Sequence, residues 1–543
     1  MKQKCIFTIY LLVFNMMVLF SQNTIGTVLN TVDTYDGLTL FTVSKDTYLI
    51  NNCGQVVNKW TGENDSGKSV YLLEGGNLLR AEHIENEEVS IPGIGGKVTI
   101  RDWDNNLIWE YNFSDSLISQ HHDVFPLSNG NILVLIVERK TQDEAILAGR
   151  DPSTLPDGEL YNEKIIEIQP IGSNDINKVW EWNTWDHLIQ DFDNSKNNFG
   201  NVLNNPQLLD INYLSFSNGS SNWMHVNSVQ YNEKLDQIIL SARQLNEIYI
   251  IDHSTTSDEA ASHEGGSRGK GGDFLYRWGN PLAYKAGDLN DQKLFGQHFP
   301  NWIPDELNDG GNILIFNNGF NRSSDFSSVD ILIPPTDHNN NYLMNPGERT
   351  GPEGFEWSYK NSSDPTIFYS KILSSAQRLP NGNTLICEGT KGRFFEIDGN
   401  KNIVWEYISP INNNGPLTQG DEPVVKNIFR ASKYSPDDAV FNDKDLTPGN
   451  PIELNFNNDN CEVLSTELLD ISKYNIYPNP SSQNVFIQSS GNIDKIEIYN
   501  MQGMLLKVAK NQNSIEVNEL DSGIYLIRFY NGIASLVKKI IIE

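Results

Sequence analysis

The sequence predicts an all-β chain: a six-bladed β-propeller followed by a small C-terminal β-sandwich. Three observations carry that expectation: a tryptophan-centred phrase that returns six times, a Gly/Asn turn phrase interleaved with it, and a change of character after Asn460. The first phrase reads Val57-Asn58-Lys59-Trp60, Ile108-Trp109-Glu110-Tyr111, Val179-Trp180-Glu181-Trp182, Leu275-Tyr276-Arg277-Trp278, Phe355-Glu356-Trp357-Ser358-Tyr359 and Val404-Trp405-Glu406-Tyr407. The second reads Gly75-Gly76-Asn77-Leu78-Leu79, Asn129-Gly130-Asn131-Ile132-Leu133, Gly310-Gly311-Asn312-Ile313-Leu314 and Asn381-Gly382-Asn383-Thr384-Leu385. Gly and Asn between apolar alternations signal a tight β-hairpin turn, because both tolerate left-handed backbone. Tyr249-Ile250-Ile251-Asp252 and Glu396-Ile397-Asp398 fit the third strand of the same unit, leading into the Trp strand. The tryptophans are expected to pack between neighbouring blades. A solenoid or a sandwich needs no four-strand period and fits less well.

Residues 1–21 read as a cleavable export signal: Lys2 and Lys4, then an apolar run from Ile6 to Phe20 that is short for a spanning helix, so export is expected rather than a membrane anchor. The propeller is expected over 22–455, a linker over 456–473 and the tail module over 474–543. With 40 basic and 70 acidic residues among 543, the formal charge of −30 argues against a nucleic-acid partner and suits an exported protein. Cys53, Cys387 and Cys461 remain after the signal and form no zinc or CxxC pattern; Cys53 with Cys387 is the expected pair if one forms, isolated thiols the alternative. Polar segments at 140–162, 186–222, 254–273 and 321–353 interrupt the repeats as long loops, and 186–222 and 321–353 are candidates to cover the channel mouth.

In a propeller the first strand of each blade lines the channel, and three histidines fall at the starts of such strands: His122 (with His121 beside it), His225 and His298. The equivalent starts near Lys68 and Ser374 carry none. His225 and Arg243 stand eighteen residues apart, and folding the hairpin about Lys234 sets them opposite each other on one face. Strand alternation lets only one of His121 and His122 face the channel, and His122 is preferred. His83, His187, His253, His263 and His338 are expected at the surface. Three imidazoles could hold zinc or copper, with Asp123 or Asp236 completing the shell. Arg243 opposes a cation and suits a sulfate or phosphate oxygen instead. Arg322 is a candidate second cationic contact near His298, and the bulky segment 299–305 a candidate to narrow the pocket.

The tail has short alternating strands at 485–487, 496–499, 514–517 and 523–529, as expected of a small β-sandwich. Its Tyr477-Pro478-Asn479-Pro480, Ile498-Tyr499-Asn500-Met501-Gln502-Gly503, Leu520-Asp521-Ser522-Gly523-Ile524-Tyr525 and Lys-Ile-Ile ending closely resemble the C-terminal sorting domain of the type IX secretion system. That resemblance implies passage through the periplasm, engagement of the type IX machinery, and release or attachment at the outer-membrane surface.

In the propeller region, His121-His122-Asp123, the phrase His225-Val226-Asn227-Ser228-Val229 through Leu240-Ser241-Ala242-Arg243, and Gln297-His298 with Ile313-Leu314-Ile315-Phe316-Asn317-Asn318-Gly319 resemble bacterial arylsulfate sulfotransferases over most of 26–445. The resemblance implies a six-bladed propeller that moves a sulfuryl group from an aryl sulfate to a phenol, with no metal, cofactor or adenosine phosphosulfate donor. It implies that His298 is transiently sulfated, that His225 and Arg243 bind the sulfuryl oxygens, and that His121 or His122 is acid or base at the phenolic oxygen. The chemistry is sound on its own terms: neutral imidazole is both nucleophile and leaving group, and sulfuryl transfer needs donors for its equatorial oxygens. Two other classes compete: a non-catalytic propeller binding sulfated glycans or aromatics at the cell surface, and a quinone-dependent dehydrogenase propeller. The latter would want more blades and a calcium-binding channel.

Overall fold

The computed structural model describes residues 23–456 apart from 216–217 and 425, and 475–543 apart from 489–492, 501–504 and 532–533. The expected export signal, most of the expected linker, Cys461 and the turn expected at Met501-Gln502-Gly503 lie outside the described residues.

Six four-stranded antiparallel sheets make the propeller. From the channel outward, blade I is Ala431–Tyr434, Leu38–Val43, Asp46–Ile50 and Val56–Thr61. Blade II is Ser66–Leu72, Leu78–His83, Gly96–Arg101 and Leu107–Asn112. Blade III is Ile118–Pro126, Ile132–Thr141, Glu159–Ile171 and Asp175–Asn183. Blade IV is Val226–Asn232, Gln237–Ala242, Glu247–Asp252 and Tyr276–Trp278. Blade V is His298–Trp302, Ile313–Asn317, Ser328–Leu332 and Trp357–Tyr359. Blade VI is Ser375–Arg378, Thr384–Glu388, Arg393–Ile397 and Ile403–Ile408. The ring closes from both ends of the chain. Ala431–Tyr434 supplies the innermost strand of blade I, and Gly26–Asn30 adds an outer fifth strand to blade VI.

The Trp phrase forms the outer strand of each blade, and its indole reaches the next blade's outer turn. Trp60 Nε1 donates to Asp102 O (2.8 Å), Trp109 to Asp175 O (3.0 Å), Trp180 to Thr255 Oγ1 (3.1 Å), Trp278 to Pro352 O (2.8 Å) and Trp405 to Asn52 O (2.8 Å). Trp357 takes the Lys401 ammonium over its ring instead. The Gly/Asn phrase makes the inner hairpin turn each time, closed by the same bond: Leu73 N–H to Asn77 O, Leu127 to Asn131, Ile303 to Asn312 and Leu379 to Asn383.

At the opposite end of these inner hairpins the first strand is kinked. Lys68, His122, His225, Phe299 and Leu373–Ser374 all have positive φ, between 49° and 111°. The ladder slips at the same place in blades II to V. A bulge re-aims side chains and tightens local twist, so each strand turns one residue toward the channel mouth. In blade IV the turn spans 233–236, one half-residue later than a fold about Lys234, and Val229 pairs with Leu240. One extra residue before Val229 restores the pairing of Val226 with Ala242, and the Arg243 N–H then donates to His225 O at 3.2 Å.

Three sequence expectations need correction here. Cys387 is a free thiol, buried between blades VI and I with Phe41, Phe394 and Tyr407, whereas Cys53 sits in an outer turn and is disulfide-bonded to a partner outside the described residues. Pairing Cys53 with Cys387 is therefore wrong, because one thiol packs in the interior and the other at the rim. His187 and His253 are not surface residues. The first is wholly buried on Trp182, and the second is held between Glu167 and Asp236. Of the loops expected to cover the channel mouth, Asn222 alone among the described residues lines the cavity there; most of 321–353 follows Leu332, in the connection between the third and fourth strands of blade V.

The tail packs a three-stranded sheet (Asn475–Tyr477, Asn484–Gln488, Ser514–Glu516) against a four-stranded one (Lys495–Tyr499, Leu505–Lys510, Gly523–Asn531, Ala534–Ile542). Val485, Ile487 and Ile515 from one sheet meet Ile496, Ile498, Ile527 and Phe529 from the other in a core of its own. This is the β-sandwich expected from the alternating pattern.

Candidate active site

The kinked strand starts converge on one cavity of about 520 Å³ at the channel mouth. His122, His225, Arg243 and His298 all line it, with Asn222, Gln244, Leu373 and Phe429 among their neighbours. The rings of His122 and His225 meet edge to face with centroids 4.7 Å apart.

The hydrogen bonds assign a role to each ring nitrogen. Asn318 Nδ2 donates to Ser370 O (2.7 Å) and Leu373 O (2.8 Å), so its Oδ1 must face His298. Oδ1 (2.8 Å) and Gly296 O (3.2 Å) both accept, so His298 Nδ1 carries the hydrogen and Nε2 is the bare nitrogen. The Leu373 backbone N–H points at that Nε2 from 3.1 Å. Burial, followed by the nearby Arg243 charge, pushes the His298 pKa down to about 3, so the ring is neutral at physiological pH. Asn222 Nδ2 donates to His225 Nδ1 (2.8 Å), which leaves the Nε2–H of His225 as a donor. Burial and Arg243 hold the His225 pKa well below the ordinary value. Arg243 packs over the Phe320 ring, and burial lowers its pKa to about 10, leaving it cationic.

His121 and His122 divide the labour. His122 lines the cavity; His121 is wholly buried behind it and does not. Glu163 Oε2 accepts from His121 Nε2 at 2.8 Å, so His121 Nδ1 is an acceptor for His122 Nδ1–H at 3.0 Å. Glu163 through His121 therefore fixes His122 with a bare Nε2. Burial and three neighbouring histidines hold the His122 pKa well below its usual value. Gly93 makes this packing possible, since a Cβ there would run into the His122 ring.

Residues 27–414 match the family described as Arylsulfotransferase (ASST). The chain belongs to that family. Residues 475–543 match the secretion-system C-terminal sorting domain, which marks this arylsulfotransferase-family chain for export to the cell surface or medium. No curated protein matches it. Among solved structures, a protein of unknown function from Bacteroides caccae is 12% identical, covering 74% of this chain and 99% of that one, with a TM-score of 0.38. The periplasmic gluconolactonase PpgL of Pseudomonas aeruginosa is 9% identical over 74% and 99%, with a TM-score of 0.36. Virginiamycin B lyase of Staphylococcus aureus, in a catalytically inactive form with quinupristin, is 9% identical over 73% and 91%, with a TM-score of 0.32.

Several residues in this arylsulfotransferase-family chain stand elsewhere than expected. Asp123 does not join a metal shell. It pairs with Arg430 (2.9 Å), accepts from Tyr71 (3.2 Å) and from the Val229 N–H, and so ties blade III to blades I, II and IV. Asp236 bonds Tyr231 and His253. Arg322 turns away from His298, donating to Phe326 O and Ser328 Oγ between two phenylalanine rings. Phe299 lies under the Arg430 guanidinium, 3.8 Å from ring centre, and does not line the cavity. Sequence reasoning gave no role to Asn318, Glu163, Asn222 or Leu373. Asn318 stood inside a motif already singled out, and Leu373 at a repeated strand start passed over because it carries no histidine; Glu163 and Asn222 come from a distant strand and a loop and carry no repeat signal.

Proposed function

We propose that this chain transfers a sulfuryl group from an aryl sulfate to a phenolic acceptor in two steps, through a sulfated His298. The observation that carries the reading is the fixed tautomer of His298. Asn318 and Gly296 hold the Nδ1–H, and burial keeps the ring neutral, so Nε2 is the nucleophile. In the first step Nε2 forms a bond to sulfur while the sulfur–oxygen bond to the aryl group breaks, its electron pair leaving with the phenolate. Arg243, the His225 Nε2–H and the Leu373 N–H supply three donors for the sulfuryl oxygens, and the last is released from Nε2 as that atom attacks. In the second step the acceptor oxygen forms the new bond to sulfur, the N–S bond breaks, and its pair returns to Nε2. The acceptor's proton goes to the bare Nε2 of His122 in this step, whereas the phenolate released in the first step leaves as the anion and takes its proton from solvent. His121 and Glu163 position His122 without touching substrate.

Intact-protein mass spectrometry after brief exposure to 4-nitrophenyl sulfate tests this, with His298→Ala beside the unaltered chain. A sulfuryl-sized mass gain with nitrophenol release, both lost in the variant by at least about 10³-fold, is the expected result. Equal release by the folded variant would remove His298 from the chemistry.

A further inference from the structure

Away from the channel, the connection after blade III and the insertion 254–273 of blade IV bring together a group that the sulfuryl chemistry does not use. We propose that His187, His263 and Asp273 form a binding site for one divalent transition-metal ion, with zinc the ion their donors suit best. One ligand atom from each of His187, His263 and Asp273 lies within 4.8 Å of the other two, and Nδ1 of both histidines approaches Asp273 Oδ1. Two imidazole nitrogens and one carboxylate form a common three-ligand zinc set, with the fourth position left for water.

The case rests on how His187 is held. Its ring is wholly buried and stacked on Trp182, with planes 4° apart. Gly272 leaves the room for it, since a Cβ there would sit 2.6 Å from His187 Nε2. Nε2 faces Ala260 O at 2.8 Å, and a carbonyl only accepts, so Nε2 carries the hydrogen. The other ring nitrogen, Nδ1, faces Asp273 Oδ1 at 2.8 Å. His263 aims its own Nδ1 at the same oxygen from 2.7 Å. A cation centred between these three atoms would take all of them as ligands at once. A second nitrogen tied to a backbone carbonyl is also how proteins orient zinc-ligating histidines. A tetrahedral shell with bonds of about 2.0–2.1 Å needs donor separations of roughly 3.3 Å. Both contacts to Asp273 Oδ1 must lengthen by roughly 0.5 Å, and His263, mostly exposed at 60%, can supply its share by moving outward. His263 also borders a surface cavity that Asp186 and Trp185 line, which opens the fourth position to solvent. The ion would pin the insertion to the edge of blade III.

The test uses the mature full chain stripped with a chelator and titrated with zinc against a chromophoric competitor. The unaltered chain, His263→Ala, Asp273→Asn and His298→Ala are compared. Because the His263 side chain is exposed, removing it leaves the packing of the blade intact. The expected result is one zinc per chain in the unaltered protein and in His298→Ala. Binding should weaken by at least about 100-fold in the other two variants. Cobalt loaded in place of zinc should give the visible absorption of a tetrahedral site, and zinc should raise the melting temperature of the unaltered chain but not of His263→Ala. Equal zinc affinity with and without His263, no tetrahedral cobalt spectrum, or loss of zinc only in His298→Ala would each overturn the assignment. The last outcome would place the ion in the channel.

Discussion

The outer and inner edges of the blades are built on opposite plans. At the outer edge one contact recurs: an indole N–H from the last strand of a blade reaches an acceptor in the next blade's outer turn, as Trp60, Trp109, Trp180, Trp278 and Trp405 do. At the inner edge the backbone recurs and the side chains do not. The same positive-φ kink carries Lys68, His122, His225, Phe299 and Leu373–Ser374 around the ring. Repetition of a side chain marks what every blade needs in order to pack. Repetition of a backbone device with changing side chains marks where a site has been placed. Substitutions should therefore separate cleanly by edge: inner-edge changes should strike turnover, outer-edge changes stability.

The sharpest test at the inner edge is Asn318→Ala, since Asn318 touches neither sulfuryl group nor acceptor in the proposed reaction. It holds the His298 tautomer and also donates to Ser370 O and Leu373 O. Its removal is expected to lower the rate of His298 sulfation by about 10- to 100-fold, the scale of losing a partner that orients a reacting histidine. KM for the donor should move far less than kcat. Single-turnover release of nitrophenol from 4-nitrophenyl sulfate measures this. Unchanged sulfation would mean that Gly296 O alone sets the tautomer.

The outer-edge counterpart is Trp109→Phe, which keeps an aromatic ring in the buried position but deletes the pyrrole half of the indole with the N–H bonded to Asp175 O. The expected loss is roughly 2–4 kcal/mol of stability, from the cavity left by the smaller ring together with the lost hydrogen bond and the carbonyl left without its partner. Activity per folded molecule should not change. A urea titration beside the transfer assay reads both. If turnover falls with stability unaltered, the separation by edge fails.

The contrast between the edges also explains how much the sequence disclosed. Six Trp phrases in phase with Gly/Asn turns were enough to read the blades, because period and turn chemistry are local signals. The three channel histidines were legible for the same reason, each falling at an equivalent strand start. The pairing of His225 with Arg243 was right in outcome, but the symmetric turn assumed for it was not. The real turn lies later, and a bulge before Val229 makes up the difference. Such a bulge leaves no mark in hydrophobic alternation, since Val226, Val229 and Leu240 are all buried. Glu163 and Asn222 were out of reach because each acts across a loop or a neighbouring strand. His187 looked like a loop residue for want of any local sign that Trp182 and Gly272 enclose it. The Cys53 assignment failed for a related reason: sequence separation says nothing about radial position in a ring, and Cys387 lies inside while Cys53 lies at the rim.

A smaller effect probes a histidine that belongs to the outer, structural plan. His253 joins blade IV to blade III, with Nε2 on Glu167 (2.9 Å) and Nδ1 on Asp236 (2.7 Å), and with Trp180 and Tyr231 against its ring. Burial alone would lower its pKa. The two carboxylates outweigh that and raise it above the ordinary value, opposite to the channel histidines. A raised folded-state pKa means that the folded chain holds the proton more tightly than the unfolded chain. The stabilisation is therefore complete below the unfolded value of about 6.5 and fades as pH rises through the folded one. Replacing His253 with Gln should then lower the melting temperature more at pH 6 than at pH 9, by a difference on the order of 1–2 °C. A penalty that is equal at both pH values would show that the contribution comes from packing on Trp180. A penalty larger at pH 9 would reverse the sign and contradict the protonated clamp.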